Sequence, residues 1–194
     1  MDIDLSPRAT EIAACARALL VSGGYNSFSY ADISEAVHIS KASIHHHFPN
    51  KAELVRTVLV LYREEARAGL TALAQRIPDP VAQLEAYIGY WATCMRDVTS
   101  AFCICAMLAA ELPTIPPEVA AEVSGHFLDL TVWLSSLLAK GAAEGVFFLS
   151  TSPEGEAMTV VATVHGAMLS ARAYGDPDAF AAIVQPLIRR LTSQ

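Results

Sequence analysis

The sequence predicts an all-α protein, and three observations carry that prediction. Apolar residues recur at three- and four-residue spacing in every segment long enough to show a period. Ser or Asn caps stand before several of those segments, and Gly or Pro closes most of them. Strict apolar–polar alternation, the mark of a half-buried strand, is missing, as is any repeat of fixed length. About nine helices are expected: a three-helix head containing a helix-turn-helix in residues 1–50, and a larger helical domain in 51–194.

The first helix opens at Ser6 and Pro7, a cap followed by a proline at the first helical position. Ile12, Ala16, Leu19 and Leu20 form its inward stripe, and Gly23-Gly24 ends it where positive φ is cheap. Tyr25 and Phe28 are expected to pack beneath the next two helices. Ser29, three residues before Asp32, makes a capping box, and Ile33 and Val37 follow at i, i+4. His38 and Ile39 break that pattern. Ser40 caps a second short helix whose inner edge is Ile44 and Phe48. Its other face carries Lys41, Ala42, Ser43, His45, His46 and His47, small or hydrogen-bonding side chains on a rod narrow enough for the major groove of DNA.

Residues 10–57 resemble the DNA-binding domain of the tetracycline-repressor (TetR) family. The shared pieces are the AxxLL helix, GGY, FS, DIS, ISKAS, the aromatic-ended HHHF and NKAEL, in order and without gaps. The resemblance implies that Ser29 and Lys51 hold phosphates, and that Lys41, Ala42, Ser43 and His45 face the groove, with Ser40 capping their helix and His46 beside them. It also implies a pseudo-palindromic double-stranded DNA partner, a small-molecule effector, pairing of two chains through the last two helices, and neither cofactor nor catalysis. His38 stands where the family usually has Gly at the turn, and His45 and His46 stand where tyrosines are common. Three consecutive histidines do not make a metal site, because helical neighbours point about 100° apart whereas two ligands on one helix need i, i+4 spacing. Imidazole ordinarily titrates near pH 6.5, so operator affinity is expected to rise as pH falls.

Composition sets the electrostatics. Apolar residues make up 53% and charged residues 17%, which excludes disorder and favours a buried partner surface. The net charge is -7, yet residues 1–56 carry five Lys/Arg against six Asp/Glu, so the acidity lies downstream. With no broad positive field, Lys41, Lys51 and Arg56 must act locally at phosphates, and affinity must depend on dimerisation. Asp2 and Asp4 without a basic or apolar run argue against a signal peptide. The uncharged stretch between Asp97 and Glu111 falls short of the roughly 20 residues that span a bilayer. A cytoplasmic protein with four cysteine thiols is expected.

Asn50 and Glu53 repeat the cap signature and start a long helix to about Arg76, with Leu54, Val58, Leu61, Ala68 and Ala72 inward. Its first turn belongs to the head and its body to the larger domain, so it can act as a lever. Ile77-Pro78-Asp79-Pro80 ends it. Further helices are expected over Val81 to about Val98, Ser100–Leu112, Glu118–Gly145, Glu154–Tyr174 and Pro177–Leu191. Between Glu156 and Arg172 nearly the whole circumference is apolar, so burial on two sides is expected, against the last helix and against a second chain.

The central helices offer a pocket for a small apolar effector: Tyr87, Tyr90, Trp91, Cys94, Phe102, Cys103, Met107, Phe127, Trp133 and His165. For most of these residues, Cys103 included, ordinary core packing is the better reading. If Ser100 caps its helix, Cys103 falls at the third helical position, where unpaired N–H groups favour a thiolate. The segment FCICAMLAAEL also resembles a stretch in a subgroup whose members respond to electrophiles and oxidants through a cysteine. The competing reading is an all-helical thiol enzyme acting on small electrophiles, with Cys103 as nucleophile and His126 or His165 as base. No Cys–His spacing in the sequence supports it.

Overall fold

The computed structural model describes residues 5–96 and 102–193. Every regular element among them is helical: α1 (Pro7–Gly23), a 3-10 turn (Tyr25–Ser27), α2 (Tyr30–Val37), α3 (Lys41–His47), α4 (Lys51–Arg76), α5 (Pro80–Arg96), α6 (Ile104–Ala109), α7 (Pro117–Ala143), α8 (Pro153–Tyr174) and α9 (Asp178–Thr192). The chain divides into two compact units, Met1–Ala66 with Ala101–His126, and Arg67–Ser100 with Phe127–Gln194.

In the first unit the caps form as the sequence requires. The Ser6 hydroxyl accepts from the Ala9 N–H at 3.3 Å, and Asn50 Oδ1 accepts from Glu53 N–H at 2.9 Å. α1 packs on α2, α3 and α6. Their shared core is Ile12, Ala16, Leu20, Ile33, Ile44, Leu54, Ile104 and Leu108, all without solvent exposure. Burying apolar surface at about 25 cal/mol per Å² is what holds such short helices, since two turns are not stable alone. Arg63 of α4 is ion-paired with Glu122 of α7.

In the second unit α8 and α9 run antiparallel. Glu156 at the start of α8 takes a two-pronged bond from Arg190 near the end of α9, at 3.1 and 2.5 Å, and the Phe148 N–H donates to the Leu191 carbonyl at 2.8 Å. Ala157, Val160, Val164, Ala167 and Met168 of α8 and Phe180, Val184, Leu187 and Leu191 of α9 are buried, and α5 packs on both helices. Arg67 and Asp129 are joined through two bonds of 2.9 Å.

Three expectations change. Ala68 and Ala72 are exposed, because the buried stripe of α4 stops at Tyr62 and the apolar period runs on into solvent. α6 is six residues rather than Ser100–Leu112; Ser100 lies outside the described residues, and after Ala109 the chain turns. Tyr90 is 61% exposed, with its ring across the edge of Trp91 at 5.0 Å, so it lines no interior. α8 is covered along one side only within the single chain: Met158 is 63% and Leu169 47% exposed, and Ala162, Gly166 and Ala173 continue that line at three- and four-residue spacing. No helix among the described residues is long and apolar enough to cross a membrane.

Candidate functional site

The turn between α2 and α3 is built from local bonds. His38 takes the left-handed conformation, φ 55° and ψ 42°, and its N–H donates to the Ser34 carbonyl. The side chain tolerates what Gly would adopt freely, at some cost in strain. Ser34 in turn donates its hydroxyl to the Ile39 carbonyl at 2.5 Å. Ser40 then caps α3, accepting from the Ser43 N–H at 3.2 Å. Ile44 and Phe48 point inward, and the Tyr30 hydroxyl donates to the Phe48 carbonyl at 2.8 Å. Burial first, then the nearby Glu53 charge, pushes the Tyr30 phenol up to about 12, so it stays a donor throughout the physiological range.

With those anchors in place, Lys41, Ala42, His45 and His46 are left exposed, and Ser43 and His47 half-buried. His45 is oriented by its Nδ1, 3.0 Å from the Pro49 carbonyl, and by an edge contact with the Tyr30 ring at 4.8 Å. A carbonyl only accepts, so Nδ1 carries the proton, and Nε2 of the neutral ring is an acceptor. Ser29 caps α2 through the full capping box, accepting from Ala31 and donating to Asp32 Oδ2 at 2.8 Å. The Ser29 hydroxyl and N–H hold the Asp32 carboxyl below its usual range. Lys51 is half-buried: its ammonium donates to the Phe28 carbonyl and lies 4.1 Å from the Phe28 and 4.6 Å from the Tyr25 ring centres. Desolvation lowers its pKa, with Glu111 opposing.

Sequence reasoning missed Glu111. Its carboxylate accepts from the Tyr25 N–H at 2.9 Å, the Asn26 N–H at 3.3 Å and Asn26 Nδ2 at 2.9 Å. The approach depends on Gly24, whose φ is 83° and whose Cβ, were one present, would collide with Glu111 Oε1. Thus the chain just past α6 is bound to the turn that precedes α2. Partners more than eighty residues apart leave no local signal in the sequence.

Cys103 is not at the third position of its helix. It is the N-cap residue of α6, fully buried, with Sγ 3.8 Å from His126 Nε2. Burial pushes its thiol up, partly offset by a bond with Tyr62, which is opposite to the thiolate expected from the helix terminus. The Cys–His pair that spacing did not reveal therefore exists, but both residues are buried, a poor setting for turnover of a substrate. Phe102 is buried and Met107 half-buried in this same unit.

Tyr87, Trp91, Cys94, Phe127, Trp133 and His165 fall in the second unit. Tyr87, Trp91 and His165 are buried and the other three half-buried. The rings of Tyr87 and Trp133 lie 5.4 Å apart, Trp91 and His165 6.4 Å, and Phe127 and His165 5.0 Å. His165 Nδ1 sits 2.8 Å from the Val161 carbonyl, and burial lowers its pKa, so the ring is held neutral. A separate cleft of about 210 Å³ lies between α5 and α9, lined by Ile88, Ala92, Phe180, Val184 and Ile188 among others; none of the expected effector residues lines it.

A capped helix-turn-helix continued in the chain by a larger all-helical region defines a class, the helical transcription regulators, and the comparisons narrow it. Residues 12–58 match the model of bacterial regulatory proteins of the tetR family, and residues 80–187 match that of the tetracyclin repressor-like C-terminal domain. A TetR-family transcriptional regulator from Agrobacterium tumefaciens is 51% identical, with a TM-score of 0.93 over 96% of this chain and 98% of that one. A regulator from Legionella pneumophila at 24% identity (TM-score 0.86, 98% and 100% covered) and E. coli NemR in its reduced form at 16% (TM-score 0.88, 97% and 99% covered) share the fold. No curated protein matches the chain in sequence. The chain belongs to the TetR family of transcriptional regulators.

Proposed function

We propose that this protein is a homodimeric repressor that holds a pseudo-palindromic operator and is released from it by a small apolar effector. The observation that carries the reading is the exposed face of α3, where Lys41, Ala42 and His45 stand outward while Ile44 and Phe48 lock the helix from behind. Ser29, Ser40, Ser43, His46 and Lys51 complete the proposed DNA surface, in residues 1–50 and the first turn of α4. Pairing through residues 154–191 is supported by the line from Met158 through Ala162 and Gly166 to Leu169, apolar surface that a second α8 would cover.

The effector is proposed to occupy the aromatic core around Tyr87, Trp91, Phe127, Trp133 and His165, within the effector and dimerisation domain of residues 51–194. Its binding alters the course of α4 and so the separation of the two heads. Binding falls because both heads can no longer dock at once, a loss of effective concentration rather than of any single contact. The buried, protonated Cys103 thiol favours non-covalent release over reaction with an electrophile. Acting on DNA, the protein works in the cytoplasm. Footprinting on the DNA upstream of its own gene tests the reading. Protection of two half-sites with centres about 34 Å apart is expected, and a folded chain that protects nothing at low salt overturns it.

A further inference from the structure

Two buried polar atoms of the second unit, Trp91 Nε1 and His165 Nε2, have no hydrogen-bond partner among the described residues. Both side chains are only 6% exposed. Their chemistry is complementary. An indole N–H can only donate. His165 spends its Nδ1–H on the Val161 carbonyl, so Nε2 presents a lone pair and can only accept. Buried groups in this state are rare in folded proteins, and each calls for a partner. The two rings are neighbours in the core, their centres 6.4 Å apart, and a single oxygen held between the two nitrogens would make hydrogen bonds of about 3 Å to each.

Few functional groups satisfy one donor and one acceptor through a single atom. A carboxylate offers lone pairs alone and is repelled by Nε2. An ether or ketone leaves Nε2 unmet, and an ammonium leaves the indole unmet. A hydroxyl meets both, donating its proton to Nε2 and accepting from Nε1–H. The Phe127 ring, 5.0 Å from His165, and the Tyr87–Trp133 pair put aromatic faces in the same core. From this arrangement we propose that the effector is a neutral, hydroxylated aromatic compound of the phenol class, its oxygen bridging Trp91 Nε1 and His165 Nε2. The inference rests on the reading of this core as the effector site and adds the class of compound that it takes.

Calorimetric titration of the full chain with 4-ethylphenol, 4-ethylanisole and 4-ethyltoluene tests it, since the three share shape and differ in the bridging group. The phenol is expected to bind at least tenfold tighter than the other two. Trp91→Phe and His165→Leu are each expected to weaken the phenol about tenfold while leaving 4-ethyltoluene within threefold. His165→Gln, which retains a side-chain acceptor, guards against misfolding by keeping part of the preference. Equal affinity for all three compounds is the result of a site bridged by water; it overturns the hydroxyl assignment and leaves the effector core standing. A preference that survives in both Trp91→Phe and His165→Leu overturns it as well. No binding by any of the three, with promoter DNA still held in their presence, removes both the assignment and the effector reading of this core.

Discussion

α3 and α8 each leave one face uncovered by their own chain, and the two faces are chemically opposite. On α3 the exposed residues are a lysine, an alanine and histidines; on α8 they are Met158, Ala162, Gly166 and Leu169. The first face keeps its hydration and offers donors and acceptors, which suits a charged, grooved partner. The second loses free energy to water until apolar surface covers it, at about 25 cal/mol per Å², which suits another copy of itself. Under the proposed reading, the residue types decide which kind of partner each face takes.

The contrast is broken most severely by placing charge on α8. Met158→Glu with Leu169→Glu is expected to give monomers by sedimentation equilibrium, and to lower operator affinity about 100-fold or more through lost avidity, with unchanged helix content. The reciprocal change, Lys41→Ala, should leave the dimer intact. It is expected to weaken operator binding about tenfold and to make the slope of log affinity against log salt shallower by about 2, one phosphate contact for each head. If Lys41→Ala dissociates the dimer, the two faces are not separate surfaces; if the α8 pair leaves DNA binding untouched, operator affinity does not rest on pairing.

Glu156 sharpens the comparison from within α8, because it holds α8 to α9 and lies outside the proposed DNA surface. Arg190 keeps its carboxyl below the usual range, with the Ser150 N–H assisting. The depressed folded value means that the stabilisation is fully present above the ordinary carboxylate pKa of about 4.3 and is lost as pH falls through the folded value. Glu156→Gln is therefore expected to cost about 1–2 kcal/mol at pH 7, modest because Arg190 is partly solvated. That difference should shrink in thermal melts as the pH is lowered from 7 and vanish only below the depressed pKa of the folded carboxyl. A constant difference across the pH range would assign the effect to packing instead.

The head was legible because its determinants are local. Ser6, Ser29, Ser40 and Asn50 each act on a group two to three residues away, and His38, directly after α2, closes its turn on the Ser34 carbonyl four residues back. What the sequence hid is what distant chain decides. Glu111 meets Tyr25 and Asn26 across more than eighty positions, and Cys103 meets His126 across twenty-three. The apolar period includes Ala68 and Ala72 although no neighbour covers them, and a cap at Ser100 predicts an earlier start for α6 than Ile104, where Cys103 is instead the buried N-cap residue. At the effector core, ring content could be read from the sequence, but which polar atoms lack partners could not.

Paired heads are the central claim, and selection from a pool of random duplexes by the full-length chain tests it most directly. Enriched sequences forming inverted repeats, with half-site centres about 34 Å or one helical turn apart, are the predicted result. Enrichment of a lone half-site, or no enrichment by a folded chain at low salt, would contradict the account.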